Sequence, residues 1–329
     1  MSAQLTRSGA RARAAVFTGN GRIIQVDAQP QAPGPGEIRV RLQGCGVCAS
    51  NLPVWEGRPW FSYPLPPGAP GHEGWGIVDA VGEGVTNFSQ GTRVAMVSAN
   101  AYATHDVTSV ENVVRLPPEL NSIPFPGEPL GCVMNILRRS EILPGQKVAI
   151  VGIGFLGAAL TALAKQAGAD VIAFSRRTFA LHVAEHYGAS ACVRMDDPVR
   201  ALREARDIIG PEGCERVIEA VGTQDALHLA TGLAGVRSRL VIAGYHQDGE
   251  RNVDLQRWNW LGLDVINAHE RDPLEYRRGM EEAIRLIGSG RFDPTPLYTH
   301  RFALEEISAA FQTLSERPHG FLKALILCD

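Results

Sequence analysis

Residues 67 to 78 read PGAPGHEGWGIV, which puts His72 and Glu73 side by side between glycines and just ahead of an apolar run. Either side chain binds metals or carries protons, yet glycine and proline also punctuate ordinary loops, where a lone His-Glu pair is commonly just a polar turn. Upstream, Cys45 and Cys48 form C-x-x-C. A zinc knuckle would need a second such pair at short range, and none follows. A redox pair would need a helix to start there, but glycines and a proline surround it. Cys192, Cys214 and Cys328 stand singly among apolar residues and are expected to be small core hydrophobes.

Firmer chemistry lies in VGIGFLG, where Gly152, Gly154 and Gly157 frame Ile153, Phe155 and Leu156. The run follows a β-branched strand, KVAIVG, and opens a helical pattern, the setting in which G-x-G-x-x-G binds a dinucleotide. Gly152 is expected to make the tight turn and Gly154 to let the backbone approach a pyrophosphate. Gly157 would let helix and strand pack closely, with the helix N-terminus facing the phosphates. For NAD the next strand should end in a carboxylate that bonds the ribose 2′-hydroxyl. It reads DVIAFSRRTF instead, ending in Ser175, Arg176 and Arg177, while Asp170 lies at the wrong end. A small hydroxyl and two guanidiniums suit a 2′-phosphate, so NADP(H) is expected ahead of NAD(H).

The elements that must position these groups fall into two patterns. From about 133 to 271, buried-type strands alternate with amphipathic helices: DVIAF, TFALHVAEHYGA, ACVRM, PVRALREARDIIG, ERVIEAVG, DALHLATGLA, RLVIAG, LDVIN. That alternation predicts βαβ units and a parallel, doubly wound (Rossmann) sheet covered on both faces. Residues 1–132 differ, with most of the 21 prolines, many glycines and short alternating strands such as GEIRVRLQGCG. After 272 come two helical stretches and a last strand, KALILC. The simplest arrangement inserts the α/β domain, 133–271, into a mainly β domain built from 1–132 and 272–329.

Composition narrows the function classes. A chain of 329 residues exceeds a single core, and 45% apolar with 20% charged residues suits a globular protein. Net charge is −3 with no basic block, which recommends neither nucleic acid nor an anionic membrane as partner. No apolar run reaches the roughly 18 residues needed to span a bilayer. The start, MSAQLTRSGARARAAVF, lacks a secretory apolar segment, and its first ten or so residues read as a loosely ordered tail. A cytoplasmic location with reduced cysteines is expected.

The run GHEGWGIVDAVGEGV, residues 71 to 85, matches the zinc-alcohol-dehydrogenase signature at each fixed position. With GVCASN upstream, GEPLGCVMN before the nucleotide domain, and VGIGFLG, the chain resembles the zinc-dependent branch of the medium-chain dehydrogenase/reductase family. The resemblance covers nearly the whole chain and extends to the closing GFLKALI. It implies a GroES-like catalytic domain and one catalytic zinc held by Cys48 and His72, with a carboxylate and a water or substrate completing the sphere. Glu128 matches the glutamate at the metal in polyol and sugar dehydrogenases, and Glu73 binds or stands just behind the metal. Cys132 is expected to be a buried thiol, and Cys45 structural. Ser50 matches the hydroxyl that passes the proton towards solvent, and Lys323 falls where the family often places a basic residue near the cofactor pyrophosphate. Members commonly pair through the edge strand of the nucleotide domain, here near LDVIN, so a homodimer or homotetramer is expected.

Three departures carry consequences. Asn51 replaces an aspartate that often orients the zinc-bound histidine; an amide can accept that hydrogen bond but adds no charge, which implies weaker metal binding. Pro53 stands where some relatives end the proton relay in a histidine. GTRVAMVSANAYATHDV passes straight to the next strand without the four-cysteine lobe of a structural zinc. Trp55, Trp60 and Phe61 follow Cys48 where the family lines its substrate cleft, and either pack substrate or fill core. Tyr245, His246 and His269 fall near the nicotinamide end and either bond a polyol or satisfy loop backbone. The Glu128 pattern favours a polyol, sugar or secondary alcohol, oxidised to its ketone. The other readings are a zinc-free quinone or enone reductase of the same superfamily and a non-catalytic nucleotide-binding relative.

Overall fold

The structure, a computed structural model, describes residues 12–328, so the expected N-terminal tail lies outside the described residues. The chain begins with β1 (Arg13–Gly19), β2 (Arg22–Asp27), β3 (Glu37–Val47), α1 (Leu52–Glu56), β4 (Gly74–Val81), β5 (Arg93–Met96), β6 (His105–Ser109), β7 (Val113–Arg115) and α2 (Gly127–Ser140). Strict alternation follows: β8 (Lys147–Val151), α3 (Phe155–Gln166), β9 (Asp170–Ser175), α4 (Thr178–His186), β10 (Ala191–Arg194), α5 (Pro198–Ile209) and β11 (Cys214–Glu219). It continues through α6 (Gln224–Leu233), β12 (Ala234–Ile242), α7 (Leu255–Leu261) and β13 (Asp264–Asn267). The chain closes with α8 (Pro273–Gly288), β14 (His300–Ala303), α9 (Ile307–Glu316) and β15 (Ala324–Leu327).

The alternating part forms a six-stranded parallel sheet in the order β10-β9-β8-β11-β12-β13. Its central strands are largely apolar because helices cover both faces; in β8 all but the first residue are buried. Strand order reverses beside β8, which opens a crevice at the carboxyl ends of β8 and β11. The sheet occupies residues 147–267.

The other sheet is mainly antiparallel, in the order β14-β15-β3-β4-β5-β7, with β6 also pairing β3. Its register joins the two ends of the chain: Leu325 of β15 pairs Gly46 of β3, and Cys45 pairs Gly74 of β4. The last strand therefore lies directly against the segments that carry Cys48, His72 and Glu73. One apolar cluster runs from Trp75 and Ala95 through Phe125 and Leu130 to Val148 and Ile150, so the two sheets share a continuous core. No helix among the described residues is long and apolar enough to cross a membrane.

Candidate active site

Strand pairing brings the two chemical segments together. β3 ends at Val47, and Cys48, in extended conformation, caps the short turn Ala49–Asn51 that leads into α1. His72 and Glu73 immediately precede β4, whose first residue pairs Cys45. As a result one donor atom each from Cys48, His72 and Glu73 lies within 4.8 Å of the others. A thiol, an imidazole and a carboxylate at that separation form the donor set of an open zinc site.

His72 is aimed by the backbone. Its Nδ1 lies 3.0 Å from the carbonyl oxygen of Pro70, which can only accept, so Nδ1 carries the proton and Nε2 is left for the cluster. Asn51 does not accept a bond from His72, contrary to expectation. Its amide donates to the same Pro70 carbonyl at 3.2 Å and to the Tyr102 hydroxyl at 3.1 Å. The amide thus braces the oxygen that orients His72. Burial pulls the His72 imidazole down, but the hydrogen bond and charge of Cys48, with Glu128 and Glu73 beyond, push it up to about 10. The imidazole thus sits among groups that favour a positive charge at its position.

Glu73 is fully buried and lies across the bare backbone of Gly46, where a Cβ would meet its Oε2 at 1.7 Å. Its carboxylate pairs with Lys323 Nζ at 2.6 Å. Lys323 is itself 5% exposed and sits 5.5 Å from the Phe155 ring centroid. The lysine, which also lines the cleft, is held by Glu73, and it links β15, β4 and the dinucleotide loop. Glu128 stands in the first turn of α2 and accepts a bond from the Cys132 thiol at 3.2 Å. Both face the same cleft, and burial raises both acids. The Ser50 hydroxyl donates to Cys48 Sγ at 3.1 Å.

The cleft, about 620 Å³, runs from this cluster along the carboxyl edge of the parallel sheet. Gly152 has φ +101°, and a Cβ there would meet Val221 at 2.4 Å. Gly154 faces open space, and a Cβ on Gly157 would strike the Gly152 carbonyl at 2.0 Å. The loop is therefore turned at the first glycine, bare at the second and tightly packed at the third. Leu156 lines the cleft; Phe155 also borders it but is 6% exposed and stacks on Tyr298.

At the end of β9 the three expected residues separate in role. Ser175 lines the cleft and accepts the Arg177 backbone N–H at 3.2 Å. Arg177 is already engaged, donating to the carbonyls of Phe321 and Ile153, so it ties the two domains together instead of standing free for a phosphate. Arg176 makes no side-chain hydrogen bond or ion pair among the described residues. Arg317, just beyond α9, reaches the same part of the cleft and was not anticipated, because nothing near it in sequence marks a cofactor contact.

At the opposite end, Tyr245 and His269 stack with centroids 5.3 Å apart and line the cleft with Glu270 and Arg271. His246 does not join them. Its Nε2 bonds Glu219 at 2.9 Å and its Nδ1 accepts from Arg251 at 2.9 Å. Glu219, fully buried, also accepts the backbone N–H groups of Val221 and Gly222, so this network fastens the loops after β11 and β12. Trp55, Trp60 and Phe61 do not line the cleft. Trp55 packs on Phe311, and Trp60, 53% exposed, lies beside Phe61.

Comparison with known proteins agrees with this arrangement. Residues 34–170 match the alcohol dehydrogenase GroES-like domain, and residues 156–286 match the zinc-binding dehydrogenase domain. The chain is 26% identical to 2-dehydro-3-deoxy-L-galactonate 5-dehydrogenase of Pseudoalteromonas atlantica, over 96% of this chain and 98% of that one. It is 25% identical to sorbitol dehydrogenase of Gallus gallus, covering 90% and 91% of the two chains. A protein assigned to the zinc-binding dehydrogenases from Sinorhizobium meliloti 1021, solved bound to NADP, superposes with TM-score 0.83 at 24% identity, over 97% and 99% of the chains. The parallel-sheet domain, the GroES-like domain and these matches together establish that the chain belongs to the medium-chain dehydrogenase/reductase family, and it is similar over most of its length to that family's alcohol and polyol oxidoreductases.

Proposed function

We propose that the protein is a zinc-dependent oxidoreductase that moves hydride between an alcohol and NADP(H), the alcohol being a polyol, a sugar or a related secondary alcohol. The observation that carries this is the convergence of Cys48, His72 and Glu73 within 4.8 Å at one end of a dinucleotide cleft. The donor chemistry fits zinc: one sulfur, one nitrogen whose other ring atom is held by a carbonyl, and one carboxylate. Three protein donors leave a position for substrate.

Cys48, His72 and Glu73 would hold the ion, and Lys323 would keep Glu73 in place and balance its charge. When bound, zinc supplies Lewis acidity to a substrate oxygen, which favours the alkoxide from which hydride leaves. NADP supplies the hydride acceptor at nicotinamide C4. Ser50 borders the cleft beside Cys48 and is suited to take the hydroxyl proton at Oγ. Glu128 faces the same space and would hydrogen-bond the group in the open position. Tyr245, His269 and Arg271 would contact the remaining hydroxyls of a polyhydroxylated substrate, and the Arg271 side chain has no hydrogen bond or ion pair among the described residues. Sugar acids therefore belong in any substrate panel, as the Pseudoalteromonas relative's name also suggests.

We further infer a homodimer or homotetramer paired through β13, which bonds β12 on one side only, with Trp260 of the neighbouring α7 87% exposed. Metal analysis tests the core of the proposal. About one zinc per chain is expected, lost in Cys48→Ala and in His72→Ala with the fold retained. A protein with two zincs, or one that turns over fully without any, overturns it.

A further inference from the structure

We propose that Arg317, contributed by the catalytic β domain, grips the adenosine 2′-phosphate together with Arg176, so that a phosphorylated cofactor bridges the two domains at its adenosine end. The inference rests on the NADP reading above and adds a specificity-determining residue outside the nucleotide domain.

Arg176 follows β9, where the adenosine ribose is expected, and Arg317 follows α9 in the other domain; both line the cleft beside Ser175. Neither guanidinium has a hydrogen-bond or ion-pair partner among the described residues. Their neighbours are taken. Arg177 is committed to the carbonyls of Phe321 and Ile153, and Arg194, at the end of the adjoining strand, to Asp196 and Thr178. Burial and then the charge of Arg176 lower the Arg317 guanidinium, which places two like charges close enough to repel. Two unpaired cations facing one space, beside a hydroxyl and without a carboxylate, call for a dianion.

The surrounding seam explains how a residue so far along the chain arrives there. Phe179 of α4 packs edge-on against His319, with centroids 5.4 Å apart, and Arg177 holds the Phe321 carbonyl. The segment 317–321 is thereby docked on the loop that follows β9. Arg317 itself has φ +47°, a left-handed residue that ends α9 and turns its side chain off the helix course.

The test is the ratio of NADP+ to NAD+ affinity, titrated on the full-length protein and on Arg317→Gly, Arg317→Lys and Arg176→Ala. Glycine tolerates the left-handed backbone, so its variant isolates the side chain. Loss of one charge-assisted contact, reduced by solvent, is expected to lower the ratio about tenfold in Arg317→Gly and in Arg176→Ala, with partial recovery in Arg317→Lys. An unchanged ratio in Arg317→Gly, with NADP+ still preferred by the parent, overturns this inference alone. Equal loss of both cofactors overturns it too, since that marks a structural role. A parent protein that binds NAD+ at least as tightly overturns the NADP reading and the inference with it.

Discussion

Replacing Lys323 by methionine should be among the most damaging single changes available in the cleft. The lysine is 5% exposed, and its Nζ lies 2.6 Å from a carboxylate that is fully buried. Methionine keeps the volume but leaves Glu73 charged without its partner. Breaking a buried pair from one side costs about 3–5 kcal/mol, most of it the stranded charge. At roughly 2–4 °C per kcal/mol for domains of 150–250 residues, that is a fall in Tm of about 6–20 °C. Glu73→Gln placed on top of Lys323→Met removes the stranded charge and should recover most of the loss. Zinc should recover part of it in the single variant, because a bound cation replaces the missing one. Burial lowers the lysine's pKa, but Glu73, Cys48 and Glu128 raise it on balance. The stabilisation is therefore present below the unfolded value near 10.4 and lost only as pH rises through the higher folded value, so in the parent the pair is intact across neutral pH. The assay is thermal unfolding of the chelated and zinc-loaded proteins as a double-mutant cycle. A Lys323→Met variant as stable as the parent, or a double variant no better than the single, would show that the pair is not the clamp described.

Three further outcomes follow from the same geometry. His72, raised to about 10 in the metal-free site, holds a proton at neutral pH that zinc must expel; calorimetry in buffers of different ionisation enthalpy should find at least one proton released per zinc and affinity rising with pH, whereas no release refutes the assignment. Ser175→Asp puts a carboxylate where a 2′-phosphate would lie and should reverse a preference for NADP of about tenfold to a hundredfold; an unchanged order in a titration would mean that β9 does not end at the adenosine ribose. Trp260→Arg charges the exposed face beside β13 and should shift light scattering from an oligomer towards monomer; a parent already monomeric at micromolar concentration removes the premise.

Backbone-driven features were legible from residue order, while features made by distant side chains were not. The strand–glycine–helix run from Lys147 and the alternation to β13 follow from local propensity and hydrophobic period, whereas the edge position of LDVIN came from the family resemblance. Gly152 and Gly157 likewise announce steric demands that any chain folding this way must meet, while Gly154 leaves the backbone bare towards the cleft. Nothing in residue order shows that the partner of His72 is the carbonyl of Pro70, because every residue carries a carbonyl and only the fold selects one. The commitment of Arg177 to backbone carbonyls was hidden for a similar reason. A guanidinium after β9 can serve the ligand or the opposing domain, and the docked 317–321 segment decides which. The aromatics after Cys48 were ambiguous in sequence because core and cleft draw on the same residue types; packing of Trp55 on Phe311 resolves it.

The most direct measurement is steady-state reduction of NADP+ by a panel of polyols, sugars, sugar acids and simple secondary alcohols, run on the protein as purified, after chelation, and after one equivalent of zinc is restored. The account predicts turnover with at least one secondary alcohol that chelation abolishes and zinc restores, and that Cys48→Ala never shows. Undiminished turnover in the metal-free protein, or none on any alcohol with zinc fully loaded, would contradict it.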